Sequence, residues 1–145
     1  TEVQAPFVQV KWPAARLVVI IQGEVSRDHS DRLAESLDGM LEDGVKTLLV
    51  ASSDMSHYHP EDHARKLDRH VADAFLSADP DRLVSVLREG SGEACGAGPI
   101  LTLMSWAKRR GCTGTRELAY DTSATASGDR SAVVGYFAAA LMEVE

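Results

Sequence analysis

The stretch Leu17–Ala51, LVVIIQGEVSRDHSDRLAESLDGMLEDGVKTLLVA, decides the fold class. Leu17–Gln22 is a compact β-branched run closed by Gly23, the pattern of a buried strand. After Ser26, the residues Leu33, Ala34, Leu37, Met40 and Leu41 recur at helical spacing and Gly44 follows as a stop, which predicts one amphipathic helix. Val45–Ala51 reads as a second strand, apolar enough for the interior of a parallel sheet covered on both faces. Strand, helix, strand is a βαβ unit. It predicts an α/β domain, a mixed sheet flanked by helices, in which the strands from Leu17 and Val45 are neighbours.

Downstream, Pro60 suits the first turn of a helix whose buried stripe is Ala64, Leu67, Val71, Ala74 and Phe75. Asp79 caps another helix with Pro80 at its first position, and Leu83, Val84 and Leu87 form its apolar face. The run ILTLMSWAKRR, residues 100–110, is apolar around most of its circumference and ends in basic residues before Gly111, so it is a deeply packed helix with Trp106 in the core. Thr115–Thr122 and Ala132–Met142 read as closing strands. The polar connector TSATASGDRS between them reads as a surface loop.

The chain has 145 residues, 44% hydrophobic and 26% charged, enough for one domain with a proper core. Its 22 acidic and 15 basic side chains give a net charge of −7, which argues against nucleic acid or an anionic membrane as partner, since both need a basic face. No apolar run approaches the roughly 18 residues of a membrane-spanning helix. Two cysteines, Cys95 and Cys112, make no disulfide framework and point to a reducing, cytoplasmic setting. The opening TEVQAPFVQVKWP lacks an initiator Met and reads as a processed or cut edge.

Three segments could carry chemistry. In ASSDMSHYHPEDH, residues 51–63, a predicted strand ends and releases Asp54, His57, His59 and His63 within ten residues. Asp54, three residues before His57, can set the orientation or tautomer of an imidazole that acts as acid/base or metal ligand. The plain alternative is a capped turn followed by a wet helix start. HYHPEDH resembles the HxHxDH zinc signature of metallo-β-lactamase-like hydrolases, but an extra residue before Asp62 and His63 rotates them away from that pattern. His63 and His70 flank the apolar stripe and read as its polar border, with a two-histidine metal site as the lesser reading. The second segment is CGAGPI, residues 95–100, where Cys95 precedes a helix N-terminus that favours negative charge and so suits a thiolate. The alternative is a cysteine packed as a small hydrophobe. Cys112 has no such setting and reads as structural. The third, YDTSATASGDRSAVVGYFAAAL, has neither the Lys nor the following helix of a phosphate loop and alone says turn.

Together these segments resemble the Memo-like family, also called AmmeMemoRadiSam system protein B, whose fold is similar to that of class III extradiol dioxygenases. The residues that carry the resemblance are Glu2-Val3-Gln4 with Pro6-Phe7, Ser52-Ser53-Asp54 with Ser56-His57, Cys95-Gly96 with Pro99-Ile100, and Tyr120 through Ser127-Gly128-Asp129 to Val134-Gly135-Tyr136. Their order and spacing cover almost the whole chain, matching the C-terminal half of the family's pattern. In that pattern a preceding half supplies two metal-facing histidines in APHAGY-like and GPxH-like segments, and neither segment occurs here.

The resemblance implies that Cys95 is a metal ligand and that Asp54 and His57 line the same pocket, His57 as acid/base and Asp54 as its orienting partner. The implied site binds iron or copper, with the thiolate favouring copper or zinc, and leaves open positions for a small ligand. Half a site implies a companion chain with the missing half, a cut before Thr1, or loss of the metal. A second reading is a non-enzymatic interaction module with a vestigial pocket and Trp12 or Trp106 as anchors. A third is a hydrolase, metal-dependent or using Thr1 as nucleophile. The family reading predicts that Asp54, His57 and Cys95 converge, and that the isolated chain is largely metal-free.

Overall fold

The computed structural model describes residues 3–23, 25–41 and 45–143; the Gly44 stop and Thr1 lie outside the described residues. Helix α1 (Ala5–Lys11) opens the described chain and buries none of its side chains. Helix α2 (Arg27–Met40) forms where the periodicity placed it, and Ser26 caps it by accepting from the His29 amide at 3.4 Å. It packs on α5 (Ala97–Arg109). There Ser30 Oγ donates to the Gly98 carbonyl and Ser105 Oγ donates to Asp31 at 2.7 Å. Because α5 covers only one face of α2, Ala34 is buried while Met40, which the spacing put on the same side, is 76% exposed.

The core lies between α3 (Glu61–Leu76), α4 (Pro80–Arg88), α5 and a small sheet. All five stripe residues of α3 are buried, from Ala64 to Phe75, and Leu83, Leu101 and Met104 complete the layer. Each such large aliphatic side chain contributes roughly 1.5–3 kcal/mol through burial. Asp79 caps α4 through the Asp81 amide at 3.0 Å, and Pro80 occupies the first turn, where its missing N–H costs nothing. Trp106 is only half-buried, with the Arg110 guanidinium 5.9 Å from its ring centroid.

The sheet has the order β1-β3-β2 and is antiparallel throughout, built from β1 (His57–His59), β2 (Gly114–Thr122) and β3 (Val133–Met142). β2 and β3 are the predicted closing strands, and the connector between them holds a helical turn, α6 (Ala124–Ser127), with Ala124 buried against Ala64 and Val133. Mixed α/β is therefore the fold class, with helices flanking the sheet.

The βαβ expectation is corrected at its two strands. Leu17–Gln22 and Val45–Ala51 form no strand and pair with none among the described residues, and Val18, Ile21 and Leu48 are 82%, 87% and 67% exposed. A strand exists only where a neighbour takes its backbone N–H and C=O groups. These runs have the composition of strands and lack that neighbour here.

One corner contributes to the acid behaviour of the domain. Glu61, at the start of α3, accepts from Arg65 at 2.6 Å and from Thr122 Oγ1 at 3.1 Å, with Arg130 nearby. The Arg65 hydrogen bond, aided by Thr122 and Arg130, holds its carboxyl below the ordinary 4.5. Asp121 is likewise held below 3.8, first by Thr125 Oγ1 and then by the Thr122 amide. Since both bind protons less readily folded than unfolded, their stabilisation is complete above the ordinary values and is lost as pH falls through the lowered ones. The denaturation midpoint should drop between about pH 5 and about pH 3, and Glu61→Gln should flatten that drop. An unchanged pH profile in the variant would contradict this assignment.

Candidate metal centre

The segment from Ser52 to His57 is fixed by backbone bonds to β3 and by one buried carboxylate. The Met55 amide donates to the Gly135 carbonyl at 2.9 Å, and the Gly135 amide returns a bond to Ser56 at 3.0 Å. Asp68, fully buried on α3, accepts from the Ser56 amide at 2.9 Å and from the Tyr120 hydroxyl at 2.6 Å. Burial, then the Asp68 bond, pushes the Tyr120 hydroxyl well above its ordinary 10.0, so it stays a donor. Gly135 is required there: a Cβ at that position would overlap the Asp68 carboxyl, reaching its Cγ at 2.6 Å.

Cys95 enters from the other side, on the loop before α5. Its amide donates to the Asp54 carbonyl at 3.2 Å, and the Asp54 amide donates to Cys95 Sγ at 3.1 Å. The Gly96 amide donates to Ser53 Oγ at 2.8 Å, an approach so close that a Cβ on Gly96 would meet the Ser52 carbonyl at 2.5 Å. His57 Nε2 lies 3.5 Å from Asp54 Oδ2. One ligand atom from each of Asp54, His57 and Cys95 falls within 4.8 Å of the others, so the three converge as expected. His57 and Cys95 also face an open cleft of about 390 Å³ walled by Val25, Met55, Leu87 and Ala97.

This donor set fits a transition metal. Bond lengths near 2.3 Å to sulfur and 2.0 Å to nitrogen place two ligands of a tetrahedral ion about 3.5 Å apart, within a side-chain rotation of what is observed. Thiolate, imidazole and carboxylate together leave room for further ligands on the exposed side.

The family model described as "Memo-like protein" matches residues 1–140. The chain belongs to the Memo-like family. A MEMO1 family protein of Methanosarcina acetivorans is 35% identical over 139 residues, 94% of this chain and 52% of the relative. One from Caldivirga maquilingensis is 32% identical over 136 residues, 93% of this chain and 48% of the relative. One from Archaeoglobus fulgidus is 37% identical over 136 residues, 93% and 51% respectively. This Memo-like chain spans about half the length of the curated relatives it matches.

The other histidines of the Memo-like chain do not join the three donors. His59 Nε2 donates to Glu93 at 3.0 Å, and its ring meets the His63 ring edge-on at 5.0 Å. His70 Nδ1 donates to the Ser91 carbonyl at 2.7 Å, which leaves the His63–His70 metal pair without support. Among the described residues no other three His, Cys, Asp or Glu side chains bring ligand atoms within the same distance, so the HxHxDH-like arrangement does not form. Cys112 is buried and its thiol is pushed up by desolvation, in keeping with a structural role. No helix among the described residues is long and apolar enough to cross a membrane.

Sequence reasoning missed Asp68, which pins the Ser56 amide. Its signal was present: a carboxylate beside Leu67 and Val71 in an apolar helical stripe is rarely buried without a partner to hold.

Proposed function

We propose that this chain forms one half of a Memo-like metal centre related to class III extradiol dioxygenases, with iron or copper as its metal. The observation that carries this reading is the convergence of Asp54, His57 and Cys95. Cys95 is the metal ligand, and the remaining ligands come from the half that this chain does not span, in the same polypeptide or in a companion. A metal held by Cys95 and those further ligands would supply Lewis-acid polarisation of a small ligand in the cleft. His57 would hold or move a proton on its imidazole, and Asp54, whose Oδ2 lies 3.5 Å from Nε2, would orient the ring.

The companion half is proposed to dock on the exposed runs at 17–21 and 45–50 and on α1, whose Phe7 and Val10 are 71% and 85% exposed. Exposed apolar side chains in such number suit an interaction face, and backbone groups that pair with no strand among the described residues are open to pairing with a partner's. The same face favours the second reading, an interaction module without catalysis, and metal binding separates the two.

Cobalt(II) titration of the 145-residue chain tests the centre. The chain should retain little metal through purification, because it brings few ligands of its own, yet give a thiolate–cobalt absorption on titration. Cys95→Ser should abolish that band and weaken affinity at least about 100-fold, the upper end of what losing even a supporting partner costs. Cys112→Ser should leave both unchanged. Equal cobalt binding by parent and Cys95→Ser would overturn the assignment.

A further inference from the structure

Two contacts outside the donor set meet on the loop that carries Cys95. His59 Nε2, on β1, lies 3.0 and 3.1 Å from the two Glu93 carboxylate oxygens, bridging 34 residues of chain. Two residues beyond Glu93, Cys95 exchanges bonds with Asp54, and two residues before His59 stands His57. His70 holds the loop's start through Ser91. Between the two β1 histidines, Tyr58 has φ +62, a left-handed conformation unusual for a bulky residue, at a register shift in the β1–β3 pairing. Such strain persists only where the residues on either side are held in place.

We infer that His59 and Glu93 form a clamp that fixes loop 91–96 against β1 and thereby holds the Cys95 thiol beside His57. The clamp rests on the metal-centre reading for its purpose and on these contacts for its existence. Without it, the loop keeps its Asp54 and Ser53 bonds on one side of Cys95 and loses the bond between Glu93 and β1 on the other. His59 and Glu93 are positioning residues, acting through Cys95.

Glu93→Ala removes the acceptor, whereas Glu93→Gln keeps a carbonyl that can take the same His59 proton. In the 145-residue chain, hydrogen exchange at the Cys95 and Gly96 amides should quicken about tenfold in Glu93→Ala, the loss expected for one charge-assisted hydrogen bond. It should return close to the parental rate in Glu93→Gln. His59→Ala should match Glu93→Ala, and the double variant should be no worse than either. The thiolate–cobalt affinity should fall about tenfold in Glu93→Ala and recover in Glu93→Gln. Unchanged exchange at Cys95 and Gly96 overturns the clamp. A parent chain without a cobalt–thiolate band is a failure of the metal centre instead, and the exchange data still decide whether the pair holds the loop.

Discussion

Gly135→Ala should lower the melting temperature by on the order of 10 °C. The added Cβ lands on the Asp68 carboxyl, which is fully buried and bonded to both the Ser56 amide and the Tyr120 hydroxyl, so it cannot swing aside. Breaking a buried polar network costs roughly 3–5 kcal/mol, and a chain of this size loses about 2–4 °C for each. Gly39→Ala is the matched control. Nothing lies within 4 Å of a Cβ there, and the site is helical, so that change should stabilise by about 0.5–1 kcal/mol. Calorimetry on the two variants checks both directions, and a Gly135→Ala protein that melts with the parent would remove the Asp68 network from this account.

Gly96→Ala should damage the site more than the fold. The clash is with the Ser52 carbonyl and with Ser53 Cβ at 2.7 Å, which belong to the segment that carries Asp54. Neither can yield as a long side chain would, so the loop must withdraw and give up the Gly96–Ser53, Cys95–Asp54 and Asp54–Cys95 bonds. Overpacking of this kind costs about 1–3 kcal/mol. The thiol leaves its place beside His57, and cobalt affinity should fall about 100-fold, as when a metal ligand loses the groups that orient it. Parental cobalt binding in this variant would show that the Cys95 position does not depend on the close approach.

Helices α2 to α5 were legible because their causes are local, whereas α1 and the turn α6 were not read from the sequence. Ser26 and Asp79 announce the starts of α2 and α4, and both side chains accept the amides that a cap should satisfy. The α3 stripe repeats every three or four residues and all five of its members are buried. Strand β1 was not legible, since three residues carry no period and its Tyr58 departs from extended geometry. The donors Asp54, His57 and Cys95 could be named from their neighbours in the chain, whereas Asp68 was hidden by its place in an ordinary helix and the His59–Glu93 contact by the 34 residues between its partners.

The sequence by itself determined helices α2 to α5, the caps at Ser26 and Asp79, the two long strands of the hairpin and the three donor types, because rotamer sterics, capping bonds and apolar spacing act within a few residues. Tertiary structure alone decided which strands pair and where the donors meet. Leu17–Gln22 and Val45–Ala51 have strand composition yet stay unpaired among the described residues, since pairing depends on a neighbour that composition does not specify. Cys95 comes within 4.8 Å of His57 across 38 residues because β3, Asp68 and the close approach at Gly96 bring two distant segments together, and no local pattern encodes that distance.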